Sequence, residues 1–307
     1  MKKIAFFLFA FCMPTFCHAD VLSLDNALRA TYTACVGIDD DLSELKKMAG
    51  INTVVTGVGT GLGIGATVIG IIKTKKDELR EKLDKQLRDL RNMSNQEFLI
   101  FLADVSNYKQ YQDMLDKEQK ANKESKKLGN WRTGLMAGNT ATNIAGAIIS
   151  GNNKVHHDLQ TQIDNCKQAV ENLQNSIMQA KFDGEDVSEA TEIANACHEF
   201  VYVDISPINK RANGAMISSV VGATTGFAGT IASAVANSEN VRKENAAKQG
   251  KKTDEDWKKE KNINTTANVL AGTSTVASGV ATVFNATQIK AIKKVASVAE
   301  KCTEVLK

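Results

Sequence analysis

Residues 57–65 read Gly-Val-Gly-Thr-Gly-Leu-Gly-Ile-Gly (GVGTGLGIG), a glycine at every second position. Alternation suggests a strand, glycine crowding a nucleotide loop, and glycines four apart a closely packed helix. The G-x-G-x-x-G spacing of a dinucleotide loop is absent. A second stretch, VVGATTGFAG at 220–229, keeps Gly222 and Gly226 four apart without the alternation. That comparison favours helix. Gly57, Gly61 and Gly65 then form one close-packing stripe, with Gly59 and Gly63 beside it. Each glycine weakens an isolated helix by about 1 kcal/mol against alanine, so a neighbour must press against this one.

The two glycine-rich stretches belong to a longer internal match. LDNALRATYTAC ends at Cys35 and SEATEIANAC at Cys197; after each comes a loop, then DLSELKK at 41–47 or DISPINK at 204–210. Ser43 and Ser206 align as helix N-caps, the second followed by Pro207 at a first helical position. LMAGNTATNIAGAIISG at 135–151, with Gly138, resembles LAGTSTVASGVATVF at 270–284, with Gly272. The sequence therefore predicts an all-α protein of two tandem, duplicated helical hairpins forming an elongated bundle. The first covers 20–182 with an extended charged tip at about 73–130. The second covers 183–307 with a short tip at about 246–256, where Gly250 stops one helix and Thr253 or Asp254 caps the next. FDGED at 182–186 is the turn between them. Within the first tip, SNQE at 94–97 is a capping box, and Phe98, Leu99, Phe101, Leu102 and Val105 suggest a small satellite core.

The chain opens MKKIAFFLFAFCMPTFCHAD: two lysines, an apolar run and a small-residue cleavage site. That order predicts a secretory signal peptide over 1–19 and export to the periplasm or cell envelope. Removing it leaves 36 basic against 35 acidic residues, too even a balance for a nucleic-acid binder. The lysines alternate with acids on helical stretches, the pattern of a solvated face. Four cysteines remain: Cys35, Cys166, Cys197 and Cys302. An even count in an exported chain points to two disulfides, and the spacings are too long for zinc-ligand pairs. Equal helix lengths on either side of the second tip favour Cys197–Cys302, with Cys35–Cys166 its counterpart by repetition. Cys166–Cys197 with Cys35–Cys302 is the competing pairing. A loop of this length closed by a disulfide gains roughly 4 kcal/mol in the chain-entropy account.

Four runs carry no charge at all: 51–72, 133–153, 212–238 and 262–289, in a chain that is 24% charged. Each exceeds the roughly 20 residues that cross a bilayer as a helix. Each is flanked by basic residues, but Ala, Thr, Ser and Asn make them only modestly apolar. On a helix the polar residues align, as Asn52, Thr56, Thr60, Gly63 and Thr67 do in the first run and Asn264, Asn268, Thr275, Ser278, Thr282 and Asn285 in the fourth. In a bilayer the apolar face meets lipid and the polar stripe meets a partner helix. In a soluble bundle the small residues form a tight core instead. The runs resemble glycine-zipper segments of bacterial envelope proteins, a likeness confined to these stretches that transfers no functional residue.

No catalytic constellation, cofactor site, metal site or small-molecule substrate site emerges. His156 and His157 are adjacent and point to different helix faces. Asp39-Asp40-Asp41 lacks the glycine and distal glutamate of a calcium loop and suits loop or N-cap duty. Trp131 and Trp257 each precede an uncharged run, as interfacial anchors do, although Trp257 also suits packing at a hairpin tip. The expected function is non-enzymatic: membrane association or insertion through the four uncharged helices, with self-association into a pore-like assembly as its extension. The alternative is a soluble periplasmic or secreted, disulfide-stapled scaffold that binds another protein.

Overall fold

The computed structural model describes residues 23–244 and 252–307. The expected signal peptide and the turn around Gly250 lie outside them. Among the described residues there is no strand, and the helices are α1 (Leu24–Cys35), α2 (Ile38–Arg91), α3 (Asn95–Ala103), α4 (Val105–Asn152), α5 (His157–Phe182), α6 (Ser188–Val201), α7 (Ser206–Asn237), α8 (Glu239–Arg242) and α9 (Asp254–Glu304).

The helix ends follow local chemistry. Ser94 and Glu97 form the capping box that starts α3. Thr253 and Asp256 do the same for α9, with Thr253 Oγ1 accepting from Asp256 N at 3.2 Å and Asp256 Oδ2 accepting from Thr253 N at 3.0 Å. At the 182–186 turn Gly184 takes φ +80°, Glu185 N donates to Ala180 O and Gly184 N to Lys181 O. That is the Schellman closure, for which a left-handed glycine suits the turn. Ser43 is not a cap: α2 starts at Ile38, because Gly37 at φ +92° breaks the chain earlier and Asp39, Asp40 and Asp41 fill the first turn. Acidic groups there favour the positive end of the helix dipole. At α7 the cap shifts upstream. Asp204 Oδ1, rather than the Ser206 hydroxyl, accepts a backbone N–H, that of Ser206 at 2.8 Å.

The residues divide into two compact units, one of 23–39, 157–203 and 297–307, the other of 40–156 and 204–296. Each of the halves 20–182 and 183–307 contributes to both. The first unit gathers α1, α5, α6 and the end of α9. Its core includes Ile163, Val170, Leu173, Phe200 and the four cysteines, paired Cys35–Cys166 and Cys197–Cys302. Thr31 Oγ1 donates inside this core to the Ala27 and Ala169 carbonyls, so its hydroxyl is not left unpaired.

The second unit is a bundle of α2, α4, α7 and α9. Its buried positions alternate three and four apart: 52, 56, 59, 63, 66, 70, 73 on α2; 122, 125, 129, 132, 136, 139, 143 on α4; 212, 215, 219, 222, 226, 229 on α7; 260, 264, 267, 271, 274, 278, 281 on α9. A strict repeat of this kind imposes left-handed supercoiling. Its seam, unlike an ordinary coiled coil, is built mainly of Asn, Ser, Thr, Gly and Ala. Between α2 and α4 lies the tip, where α3 buries no residue; Leu99, Ile100, Val105 and Tyr108 stand exposed, and Phe98 meets Tyr111 edge to face. The expected satellite core there is an open apolar patch instead.

Candidate membrane interface

The second unit inverts the usual distribution of polarity. Over the uncharged runs, the residues turned outward are Val54, Val58, Ile64 and Val68 on α2, and Ile144 and Ile148 on α4. Ile217, Val220, Phe227 and Ile231 do the same on α7, and Val269, Val276 and Val283 on α9. Val54, Ile148 and Val276 are 66%, 60% and 67% exposed, while Asn52, Ser278 and Asn285 are fully buried. Single exposed apolar residues are ordinary; a band of them on four helices, with the amides inside, is not.

Hydrogen bonds fix the register of the interior. At one end Asn52 Nδ2 donates to Ser150 Oγ (2.6 Å) and Asn285 Oδ1 (3.1 Å), and Asn285 Nδ2 donates to Thr56 Oγ1 (3.3 Å). In the middle Asn139 Nδ2 donates to Ser274 Oγ (2.9 Å), Asn143 Nδ2 to Ser278 Oγ (2.8 Å), and Ser274 Oγ to the Gly222 carbonyl (2.7 Å). At the far end Arg132 donates to Ser233 Oγ, Asn268 Oδ1 and Asn264 Oδ1 at 2.8–3.0 Å. Asn268 in turn donates to Thr74 Oγ1 at 3.1 Å. From the Asn52 layer to the Gly70 layer is 18 residues on α2, about 27 Å at 1.5 Å per residue. That matches a hydrocarbon core of about 30 Å.

Glycine lets these helices approach, at the expected Gly222 and Gly226 on α7 but at positions offset from the expected ones on α2. A Cβ on Gly59 would meet Thr142 and Asn139; on Gly63, Thr275 and Asn139; on Gly70, Asn268; on Gly222, Asn143; on Gly226, Thr140 and Ser274. At Gly57, Gly61 and Gly272 a Cβ meets nothing within 4 Å. Gly65 and Gly138 make lighter contacts, to Leu135 at 3.3 Å and Leu62 at 3.1 Å. The stripe Gly57–Gly61–Gly65 therefore gives way to Gly59–Gly63–Ala66–Gly70. Steps of four alone drift around a helix, while alternating threes and fours stay on the seam.

Beyond the belt the seam becomes ionic, against the expectation of a solvated charged tip. Asp77 accepts from Lys73, Arg80, Ser125 and Asn264. Glu260 accepts from Arg80 Nη1 (2.9 Å) and Lys252 Nζ (2.5 Å). Arg242 donates to Asn122 and Ser125. Burial pushes the Lys252 ammonium below its ordinary range against the pull of Glu260, and burial likewise lowers Arg242. Trp257 is buried here; its Nε1 donates to Asp84 (3.0 Å), and Lys252 Nζ lies 3.3 Å from its ring centroid. Trp257 is thus a core residue of this network rather than an interfacial anchor. Trp131 remains 58% exposed at the belt edge, beside Ile72 and Lys76.

His156 and His157 are exposed, and Asp39 lies 3.4 Å from Lys307. Three helical stretches, Leu24–Arg91, Ser188–Asn237 and Asp254–Glu304, are long and apolar enough to cross a membrane. Comparison with protein-family models, curated sequences and solved structures returns no match to this chain.

Proposed function

We propose that this is an exported, non-enzymatic envelope protein whose second unit inserts into a lipid bilayer as a four-helix bundle. The observation that carries this reading is the inverted polarity: valine and isoleucine outward on all four helices, asparagine and serine bonded inward. In water such a surface forfeits the apolar burial that drives folding. In hydrocarbon it faces a matching solvent, and most of the polar groups are satisfied by one another, Asn52 Oδ1, Ser219 Oγ and Gln288 Oε1 being exceptions. The disulfide-bonded unit then lies on the oxidising side, consistent with export.

Self-association belongs to the same proposal. Gly57 and Gly61 are four apart and open outward, the spacing through which spanning helices approach closely. Because side chains of one copy bond across its own interior, a pore-like assembly would form between copies. The test is alkaline carbonate washing of membranes from cells producing the protein. Retention in the membrane pellet is expected; complete release into the supernatant overturns insertion and favours a soluble scaffold that binds another protein.

A further inference from the structure

We infer that one rim of the apolar belt is a collar for anionic phospholipid headgroups, an inference that rests on the bilayer reading above. The register of the bundle brings Lys46 and Lys47 of α2, Lys154 beyond α4, Lys210 and Arg211 of α7, and Lys290 and Lys293 of α9 to the same end. That end is marked by the Asn52–Ser150–Asn285 layer. All seven lie within about two turns of the uncharged runs. None makes an ion pair among the described residues, and within two turns of the belt this end of the unit holds one carboxylate, Glu44.

The opposite rim is different. There the cations stand among carboxylates and many are paired: Lys76 with Glu124, Lys126 with Glu244, Lys243 with Asp256. The chain itself compensates much of the charge at that rim and little at the first, whose cations are left to an external anion. Cations set where an apolar belt ends are placed at the depth of lipid phosphates, where each contributes about five-fold to partitioning onto an anionic surface. Lysine stems can lie along the belt while their ammonium groups reach that layer. The chain crosses between the two units at 39/40, 156/157, 203/204 and 296/297, all close in sequence to this rim.

The experiment is flotation of the purified full-length protein with vesicles of phosphatidylcholine alone and of phosphatidylcholine mixed with phosphatidylglycerol. Wild-type protein is expected to prefer the mixed vesicles by about ten-fold or more, a preference that added salt erodes. The variant Lys46→Gln/Lys47→Gln/Lys210→Gln/Lys290→Gln should float with phosphatidylcholine as wild type does and lose the preference. Lys258→Gln/Lys261→Gln, at the other rim, should keep it. Equal flotation with both vesicles, or a preference lost through the second variant instead, overturns the collar and leaves insertion standing. Flotation with neither vesicle overturns insertion and the collar together.

Discussion

Substituting alanine at Gly61 and at Gly63 separates the observed seam from a simple every-fourth-residue stripe. Both changes add the same methyl group and the same gain in helix propensity, up to about 1 kcal/mol. At Gly61 the methyl meets nothing within 4 Å in the same copy, so that gain is kept in micelles that hold single copies. At Gly63 it lands against Thr275 Oγ1, 3.0 Å from Asn139 Nδ2 and 3.1 Å from Thr275 Cα. A hydroxyl can rotate aside, but a Cα cannot, so α2 and α9 must separate at this layer. Overpacking of this kind costs about 1–3 kcal/mol. Gly61→Ala should therefore stabilise by about 0.5–1 kcal/mol and Gly63→Ala destabilise by about 1–2 kcal/mol net. Chemical denaturation in detergent micelles, followed by helical circular dichroism, reads the difference directly. If Gly63→Ala proves as stable as Gly61→Ala, the three-four seam is wrong.

Three further outcomes follow from the interior. Glu260→Gln leaves Arg80 and Lys252 buried without their shared carboxylate, and the same denaturation should show a loss of about 3–5 kcal/mol. Lys252 sets a pH dependence. Its folded value lies below the ordinary 10.5, so the unfolded chain holds the proton longer and stability should rise as pH climbs from the folded value towards 10.5. Lys252→Met should flatten that rise, and identical pH profiles for the two proteins would count against the burial argument. Third, the sulfurs of Cys35, Cys166 and Cys302 lie within 4.8 Å of one another. In Cys35→Ser the Cys166 thiolate is placed to attack Cys302 Sγ, forming Cys166–Cys302 and releasing the Cys197 thiolate. Peptide mapping without reductant should find that new bond; recovery of Cys197–Cys302 alone would show that the two bridges do not communicate.

What the sequence revealed and what it hid differ for physical reasons. Helix, the capping boxes and the 182–186 turn are legible because each depends on a few neighbouring residues. The polar stripe of Asn52 and Thr56 and that of Asn264, Ser278 and Asn285 are legible too, since polarity repeats on one face. The glycine stripe was misplaced because GVGTGLGIG offers glycines at every phase, and only the partner helices choose among them. Buried Lys73, Arg80 and Glu260 were hidden by residue type, as such groups normally face water. A retrospective signal exists: Lys73, Asp77, Arg80 and Asp84 continue the three-four spacing of Gly63, Ala66 and Gly70. The division into units escaped because it depends on contacts between residues more than a hundred apart, such as Cys35 and Cys166. Ser43 was a local signal overruled by another, the left-handed Gly37 that lets α2 begin at Ile38.

The belt is tested most directly by spin labels attached to cysteines introduced one at a time at Val58, Val276 and, as a water-facing control, Lys120. Electron paramagnetic resonance of the protein in vesicles then compares collisions with oxygen, which concentrates in hydrocarbon, and with a polar nickel chelate, which is excluded from it. Labels at Val58 and Val276 should collide with oxygen and be shielded from nickel, and the label at Lys120 should show the reverse. Equal nickel access at all three positions would contradict a bundle that wears its apolar side chains towards lipid.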